Sequence, residues 1–377
     1  MQLLINLVYY VVPFLVLLGI LVFVHELGHF WVARLLKVKV DEFSIGFGKE
    51  LWGKDDKKGT HWKIGAIPLG GYCKFFGDED ASSASESDKL KDLSDEEKKH
   101  VFQFLPPFQK ILIAVAGPAA NYLFAILVFT SIFFTLGKMD FPPIVGSVIE
   151  GSAAQQAGIQ PNDRILKING HDINNFQDIN YEVTLAVDGK AEVVVLRDGS
   201  EKNINLNLKP VEVKNSDGTS TSKIMLGVKS LNVMEIDHQR LSFLDAVHEA
   251  CLETWSITDA TLRGVGQMIT GQRGGDDVGG IIRIAEMSGD ITKQNGILDF
   301  IVFMALLSIN LGLINLFPIP LLDGGHIVIN LIELVTRREL GTKIKDYLFK
   351  TGFALIMALM IFATWNDIVR LINRWFA

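Results

Sequence analysis

The stretch from Leu3 to Val24 holds no charged side chain, and it runs straight into His25-Glu26-Leu27-Gly28-His29. About 20 residues at 1.5 Å rise per residue cross the hydrocarbon core of a bilayer, where only a helix or a closed barrel satisfies its own backbone. A run this long predicts a spanning helix that carries ionisable groups at its far end. Such groups cost roughly 2.5–3.5 kcal/mol each near a bilayer centre on insertion scales, and those that persist mark function. Three further apolar runs follow: Ile111–Leu136, Ile301–Leu322 and Thr351–Asn366. The last is short and continues into an amphipathic tail. The first lacks the basic n-region and small-residue cleavage site of a secretory signal peptide, and is read as a resident span.

Composition supports a mixed chain. Of the 377 residues 49% are hydrophobic and the mean hydropathy is +0.28, too apolar for an ordinary soluble protein. Charged residues make up 21%, too many for a bare helical bundle, so at least one water-soluble module is expected. A net charge of −7, with no basic stripe and interleaved aromatics, excludes a nucleic-acid binder. Cys73 and Cys251 offer neither a disulfide framework nor a paired metal motif.

Basic residues orient the spans. None precedes Arg34, after which Lys37, Lys39, Lys49, Lys54, Lys57, Lys58 and Lys63 follow closely; Arg337, Arg338, Lys343, Lys345 and Lys350 cluster before the last span. The positive-inside rule makes both loops cytoplasmic, with both termini and residues 138–298 outside. With Arg34 at the cytoplasmic interface, His29 and His25 lie roughly 8–14 Å below it.

Residues four apart share a helical face, so both imidazoles point the same way. His-Glu-x-x-His on a helix is the zinc-hydrolase arrangement, in which the imidazoles bind metal and the glutamate handles the proton of a water. A catalytic zinc takes three protein ligands, and the third is often a carboxylate. The other abnormal break in apolar sequence is residues 310–326, NLGLINLFPIPLLDGGH. Pro318 and Pro320 cannot continue a regular helix, so the backbone must unwind and re-aim Asp323. Asp323 is the leading candidate for third ligand, with His326 next, then His61 and Glu333.

HELGH in the first span, AGPAANYLFA (116–125) in the second and NLFPIPLLDGGH in the third resemble the site-2-protease family of intramembrane zinc metalloproteases, in its bacterial RseP type. Residues 43–52 (FSIGFGKELW) and 67–80 (IPLGGYCKFFGDED) fit as well, so the likeness covers nearly the whole chain. It implies Zn2+ held by His25, His29 and Asp323, with Glu26 as general base. It also suggests that Asn310 and Asn315 bind substrate backbone or steady the tetrahedral intermediate. Gly117, Pro118 and Asn121 are read as shaping helix packing. The resemblance further implies a multi-pass protein of the bacterial inner membrane, with its termini and outer domain periplasmic. Its partners are then the lipid bilayer and membrane-spanning protein substrates already trimmed by another protease.

Residues 61–77 alternate and break at Gly70-Gly71, as a hairpin would. In the family this piece re-enters the membrane, where an edge strand including Ile67, Gly70 and Gly71 could pair with an unwound substrate. Residues 77–100 read as a charged, solvated linker with a short helix near Ser94–His100. Residues 142–210 resemble a single PDZ domain, with Asn169-Gly170 ending a strand and a hairpin turn at Asp198-Gly199; 223–228 add a final strand. An amphipathic helix is expected over Leu241–Thr270, and 274–289 match the family's segment before the third span, with Ile281 where a proline is often found. The expected fold is a polytopic α-helical membrane protein with four transmembrane helices, a re-entrant β-hairpin and an inserted extracytoplasmic α+β PDZ domain. In chain order its parts are 1–37, 38–107, 108–137, 138–232, 233–297, 298–326, 327–349 and 350–377. The expected function is regulated intramembrane proteolysis of single-span proteins, such as anti-sigma factors or remnant signal peptides. The alternative is a catalytically silent scaffold that recruits partners through its PDZ domain, which would have no need of Glu26 between two ligands.

Overall fold

The first apolar run and the His-Glu-Leu-Gly-His stretch form one unbroken helix, α1 (Gln2–Leu35). It stops where Lys37 takes a left-handed backbone, φ 62°, and the Val38 N–H closes on the Ala33 carbonyl at 2.8 Å. The structure, a computed structural model, describes the chain except residues 1, 78–92, 139–140, 187–188, 209, 215–219, 231–239, 273–278, 295 and 377. Most of the expected charged linker lies outside the described residues. The chain divides into two units, Met1–Thr130 with Ala250–Thr254 and Asp276–Ala377, and Ser131–Glu249 with Trp255–Gly275.

After α1 come two long antiparallel strands, β1 (Val40–Asp55) and β2 (His61–Phe75). This corrects the expected hairpin within 61–77. That segment is a single strand, and its partner is the preceding one; the turn lies at 56–60, with Gly59 at φ 82°. Gly70, at φ 145°, bends β2, and a side chain there would run into the Phe47 ring. Pairing doubles back: Phe43 faces both Trp62 and Cys73, and Ile45 faces both Ile64 and Gly71. Phe43, Cys73 and Phe75 pack with Phe30 and Ala33 of α1 in one core.

A capping box on Ser94 and Glu97 opens the short helix α2 (Asp95–Lys98), within the stretch where a helix was expected. The second apolar run becomes α3 (Pro107–Leu136). It approaches α1 closely because Gly28 has no side chain: a Cβ there would strike the Ala116 carbonyl and Ala120.

The other unit carries β3 (Val145–Val148), α4 (Ala153–Gln156), β4 (Arg164–Ile168), β5 (His171–Asp172), α5 (Phe176–Thr184), β6 (Lys190–Arg197), β7 (Ser200–Asn207), β8 (Pro210–Lys214), β9 (Ser220–Ile224) and β10 (Val228–Ser230). The main sheet has the order β5-β4-β6-β7, and the pairs β10-β3 and β8-β9 stand apart. Period-two burial of Ala191, Val193 and Val195 builds its core with Ile165, Ile168, Ile179 and Leu206. Asp198 and Gly199 both take positive φ and join β6 to β7 as expected, and Asn169-Gly170 does the same between β4 and β5. The single strand expected at 223–228 is split: β9 ends at Ile224 and β10 begins at Val228, after Gly227 at φ 85°. The expected amphipathic helix forms as α6 (Phe243–Ile269), opened by the Ser242 cap.

The segment before the third span is helical, α7 (Ile281–Gln294), and it lies on α1 through Tyr10 Oη to Asp290 at 3.0 Å. Then follow α8 (Ile297–Asn315), α9 (Asp323–Thr336) and α10 (Thr342–Phe376). Leu17 and Leu21 of α1 pack on Phe300, Phe303 and Met304 of α8. Among the described residues, four helices are long and apolar enough to cross a membrane: Val8–Leu35, Pro107–Leu136, Ile297–Asn315 and Thr342–Asn373.

Candidate metal centre

The third apolar run breaks where its prolines require. α8 ends at Asn315, residues 316–322 leave the helix, and Leu321 reaches φ 109° before α9 starts at Asp323. Gly324 and Gly325 let this loop fold onto the start of α9, since a Cβ on either would meet the carbonyls of Leu316, Phe317 or Ile319. Asp323 is thereby carried to the face of α1 that bears His25 and His29. The His25 Nε2 lies 3.1 Å from Asp323 Oδ2, and the His29 Nε2 lies 3.4 Å from Asp323 Oδ1. The two Nε2 atoms are 3.3 Å apart.

These spacings fit one tetrahedral metal. With metal–nitrogen bonds of about 2.0–2.1 Å, neighbouring ligand atoms sit roughly 3.3–3.4 Å apart. One atom from each of His25, His29 and Asp323 lies within 4.8 Å of the others, the only such group of three or more among the described residues. Both imidazoles are buried. Asp323 Oδ2 is a buried carboxylate oxygen with no hydrogen-bond partner, an unfilled acceptor of the kind a cation satisfies.

Behind the imidazoles stands α3. The His29 Nδ1–H donates to the Ile113 carbonyl at 2.7 Å, and the Asn121 amide lies 3.1 Å from His25 Nδ1. Gly117 leaves the space both rings occupy, because a Cβ on it would collide with His29 and crowd His25.

A cavity of about 660 Å³ opens on this cluster. Its lining includes Glu26, Asn315, Gly70, Gly71, Tyr72 and His326, with Phe47, Leu311, Leu321 and Leu322 supplying apolar wall. Gly71 lies against α1 so closely that a Cβ would touch Val22 and Glu26. Of the residues expected to bind substrate, Asn315, Gly70 and Gly71 are therefore in the cavity, while Asn310 and Ile67 do not line it. Ile67 is 49% exposed and sits opposite Phe47 in the strand register. The lesser ligand candidates are elsewhere or outside the triad. His61 is held by Asp55 and Glu50, and Glu333 pairs with Lys345 at 2.8 Å. His326 packs its ring 5.3 Å from that of Phe349. Sequence reasoning missed the contact between Asn121 and His25; its one signal is an amide inside an otherwise apolar run.

The profile of peptidase family M50 matches residues 13–359. The chain is 40% identical over 368 residues to a protein of Agrobacterium fabrum described as "Putative zinc metalloprotease", covering 97% of each. It is 39% identical to a protein of the same description from Rhizobium meliloti, over 96% of this chain and 97% of that one. Metalloprotease MmpA of Caulobacter vibrioides is 36% identical over 95% of both chains.

Proposed function

The chain belongs to peptidase family M50, and we propose that it is an intramembrane zinc metalloprotease cutting single-span membrane proteins within the bilayer. The observation that carries this reading is the His25, His29 and Asp323 cluster, with ligand atoms 3.1–3.4 Å apart at the end of a helix apolar enough to span a membrane. Glu26 opens onto the same cavity.

In this reading His25, His29 and Asp323 hold Zn2+, which supplies Lewis acidity toward a peptide carbonyl and lowers the pKa of a water toward 7. Glu26 accepts the proton of the attacking water and returns it to the leaving amide nitrogen. Asn315, at the last turn of α8, donates to the substrate backbone beside the cut. Asn310, which does not line the cavity, is left to packing between helices. Gly70 and Gly71 bring the backbone of β2 to the cavity, where an unwound substrate can exchange helix hydrogen bonds for strand pairing. Ile67 would extend that edge away from the metal.

The wider assignment follows the same reading: a multi-pass protein of the bacterial inner membrane, with its termini and the inserted unit on the periplasmic side. The inserted unit is then a single PDZ domain that filters substrates by size. Substrates are anti-sigma-factor-like proteins or remnant signal peptides first trimmed by another protease.

Glu26→Gln is the decisive variant, because it removes a proton acceptor and no ligand. Purified Glu26→Gln protein should keep its zinc and lose cleavage of a reconstituted spanning substrate by roughly 10²–10⁴-fold. Undiminished cleavage would overturn the general-base role. Full zinc content in His25→Ala or His29→Ala would overturn the ligand set.

A further inference from the structure

We propose that Asn121 is a positioning residue for His25, its side-chain carbonyl accepting the Nδ1 proton and so fixing the tautomer that binds metal through Nε2. This rests on the zinc site proposed above.

Both imidazoles turn Nε2 toward Asp323 and toward each other. Each Nε2 must then keep its lone pair, and the single proton of a neutral imidazole has to sit on Nδ1. A buried N–H needs an acceptor. For His29 it is the Ile113 carbonyl at 2.7 Å, a backbone group that no substitution removes. For His25 the neighbour is a side chain, the Asn121 amide, with Nδ2 3.1 Å from Nδ1. That end of the amide suits the other tautomer. Asn121 Oδ1 is buried and has no hydrogen-bond partner, so half a turn of the amide breaks no contact of the oxygen and brings it to the Nδ1 proton.

Asn121 is well placed to act through its neighbour. It is 0% exposed, and its own backbone carbonyl accepts from Ser308 Oγ at 3.0 Å, which ties α3 to α8 at this level. The pair of imidazoles is thus asymmetric: one is oriented by the main chain and the other by a replaceable side chain. Partners of this kind typically change metal affinity by 10–100-fold.

The test measures zinc affinity of the full chain in detergent by chelator competition. Asn121→Leu, which keeps bulk and removes the acceptor, should raise the zinc Kd about 10–100-fold. Asn121→Asp, which keeps an acceptor, should stay within a few-fold of the parent. The d–d spectrum of the cobalt-loaded protein should change in Asn121→Leu and persist in Asn121→Asp. A purely structural asparagine predicts instead that folded Asn121→Leu binds zinc like the parent, or that Asn121→Asp is as weak as Asn121→Leu; either result overturns the proposal. Should Asn121→Leu fail to fold, ¹⁵N NMR of the imidazoles in the zinc-loaded parent decides, since a proton on His25 Nε2 would also overturn it. If the parent binds no zinc, it is the metal-site reading that falls; if the parent binds and Asn121→Leu matches it, only the role of Asn121 falls.

Discussion

Asp163 of the inserted unit and Asp323 of the membrane unit are treated in opposite ways. Asp163 is 1% exposed and fully engaged: the Arg197 guanidinium forks onto it with two contacts of 2.6 Å, and the Gln160 N–H donates at 2.8 Å. The same guanidinium reaches the Gly158 carbonyl at 2.8 Å, so one ion pair closes the turn region around both residues. Asp323 faces two imidazoles and leaves Oδ2 without a hydrogen bond. A carboxylate with both oxygens hydrogen-bonded holds structure, whereas one kept open beside two nitrogen donors keeps capacity for a cation.

Exchanging each for its amide tests the contrast with the largest effects. Asp163→Asn removes the charge beneath Arg197 and should destabilise the inserted unit by roughly 3–5 kcal/mol, the usual result of breaking a buried pair from one side. Its zinc content should not change. Asp323→Asn should abolish most zinc binding and leave the unfolding of the inserted unit as it was. Thermal unfolding followed together with metal content checks both. If Asp163→Asn loses zinc while the inserted unit stays folded, the division between closed and open carboxylates is wrong.

The same contrast separates what was legible in the sequence from what was not. His25 and His29 were legible because helical spacing alone places them on one face, and Asp323 because two prolines must break the run before it. The turn at Asp198-Gly199 was legible because both residues tolerate positive φ. The hairpin was misplaced because Gly70-Gly71 reads equally as a turn or as a bend. What decides is the ring of Phe47 above Gly70, a contact between strands that local pattern does not contain. α7 was unreadable for a similar reason. No Ser, Thr, Asp or Asn stands at its start; the acceptor for its first N–H groups is Asp367, on α10. Asn121 carried a visible oddity, an amide in a span, but its partner is on another helix.

Acid sharpens the comparison at a smaller scale. Burial alone would raise the Asp163 carboxyl, but the Arg197 guanidinium and the Gln160 N–H hold it below the ordinary carboxylate range. A carboxylate depressed in the folded state contributes stability that is present above its unfolded pKa of about 3.9 and lost as pH falls through the folded value. The inserted unit should therefore begin to lose stability below about pH 4, and Asp163→Asn should flatten that part of the profile. An unchanged acid slope in Asp163→Asn, measured by denaturant titration at stepped pH, would assign the loss to other groups.

Asp367 is a third carboxylate, buried like Asp163, and it falls between the two. It is 1% exposed and accepts from the Gly280 N–H at 3.1 Å and the Arg283 N–H at 3.0 Å through Oδ2. It acts as the cap that the sequence before α7 lacks, satisfying first-turn donors that would otherwise be orphaned. Its negative charge also lies at the positive end of that helix. Losing a cap typically costs about 1 kcal/mol, so Asp367→Ala should fray the first turn of α7 without unfolding either unit. Hydrogen exchange of the amides at 280–284 should quicken about five-fold, while zinc content stays at the parent level. Asparagine caps about as well as aspartate, so Asp367→Asn should recover most of the protection. Equal fraying in both variants would mean that charge, not hydrogen bonding, holds this end of α7, and would move Asp367 from the closed class toward the electrostatic role of Asp323.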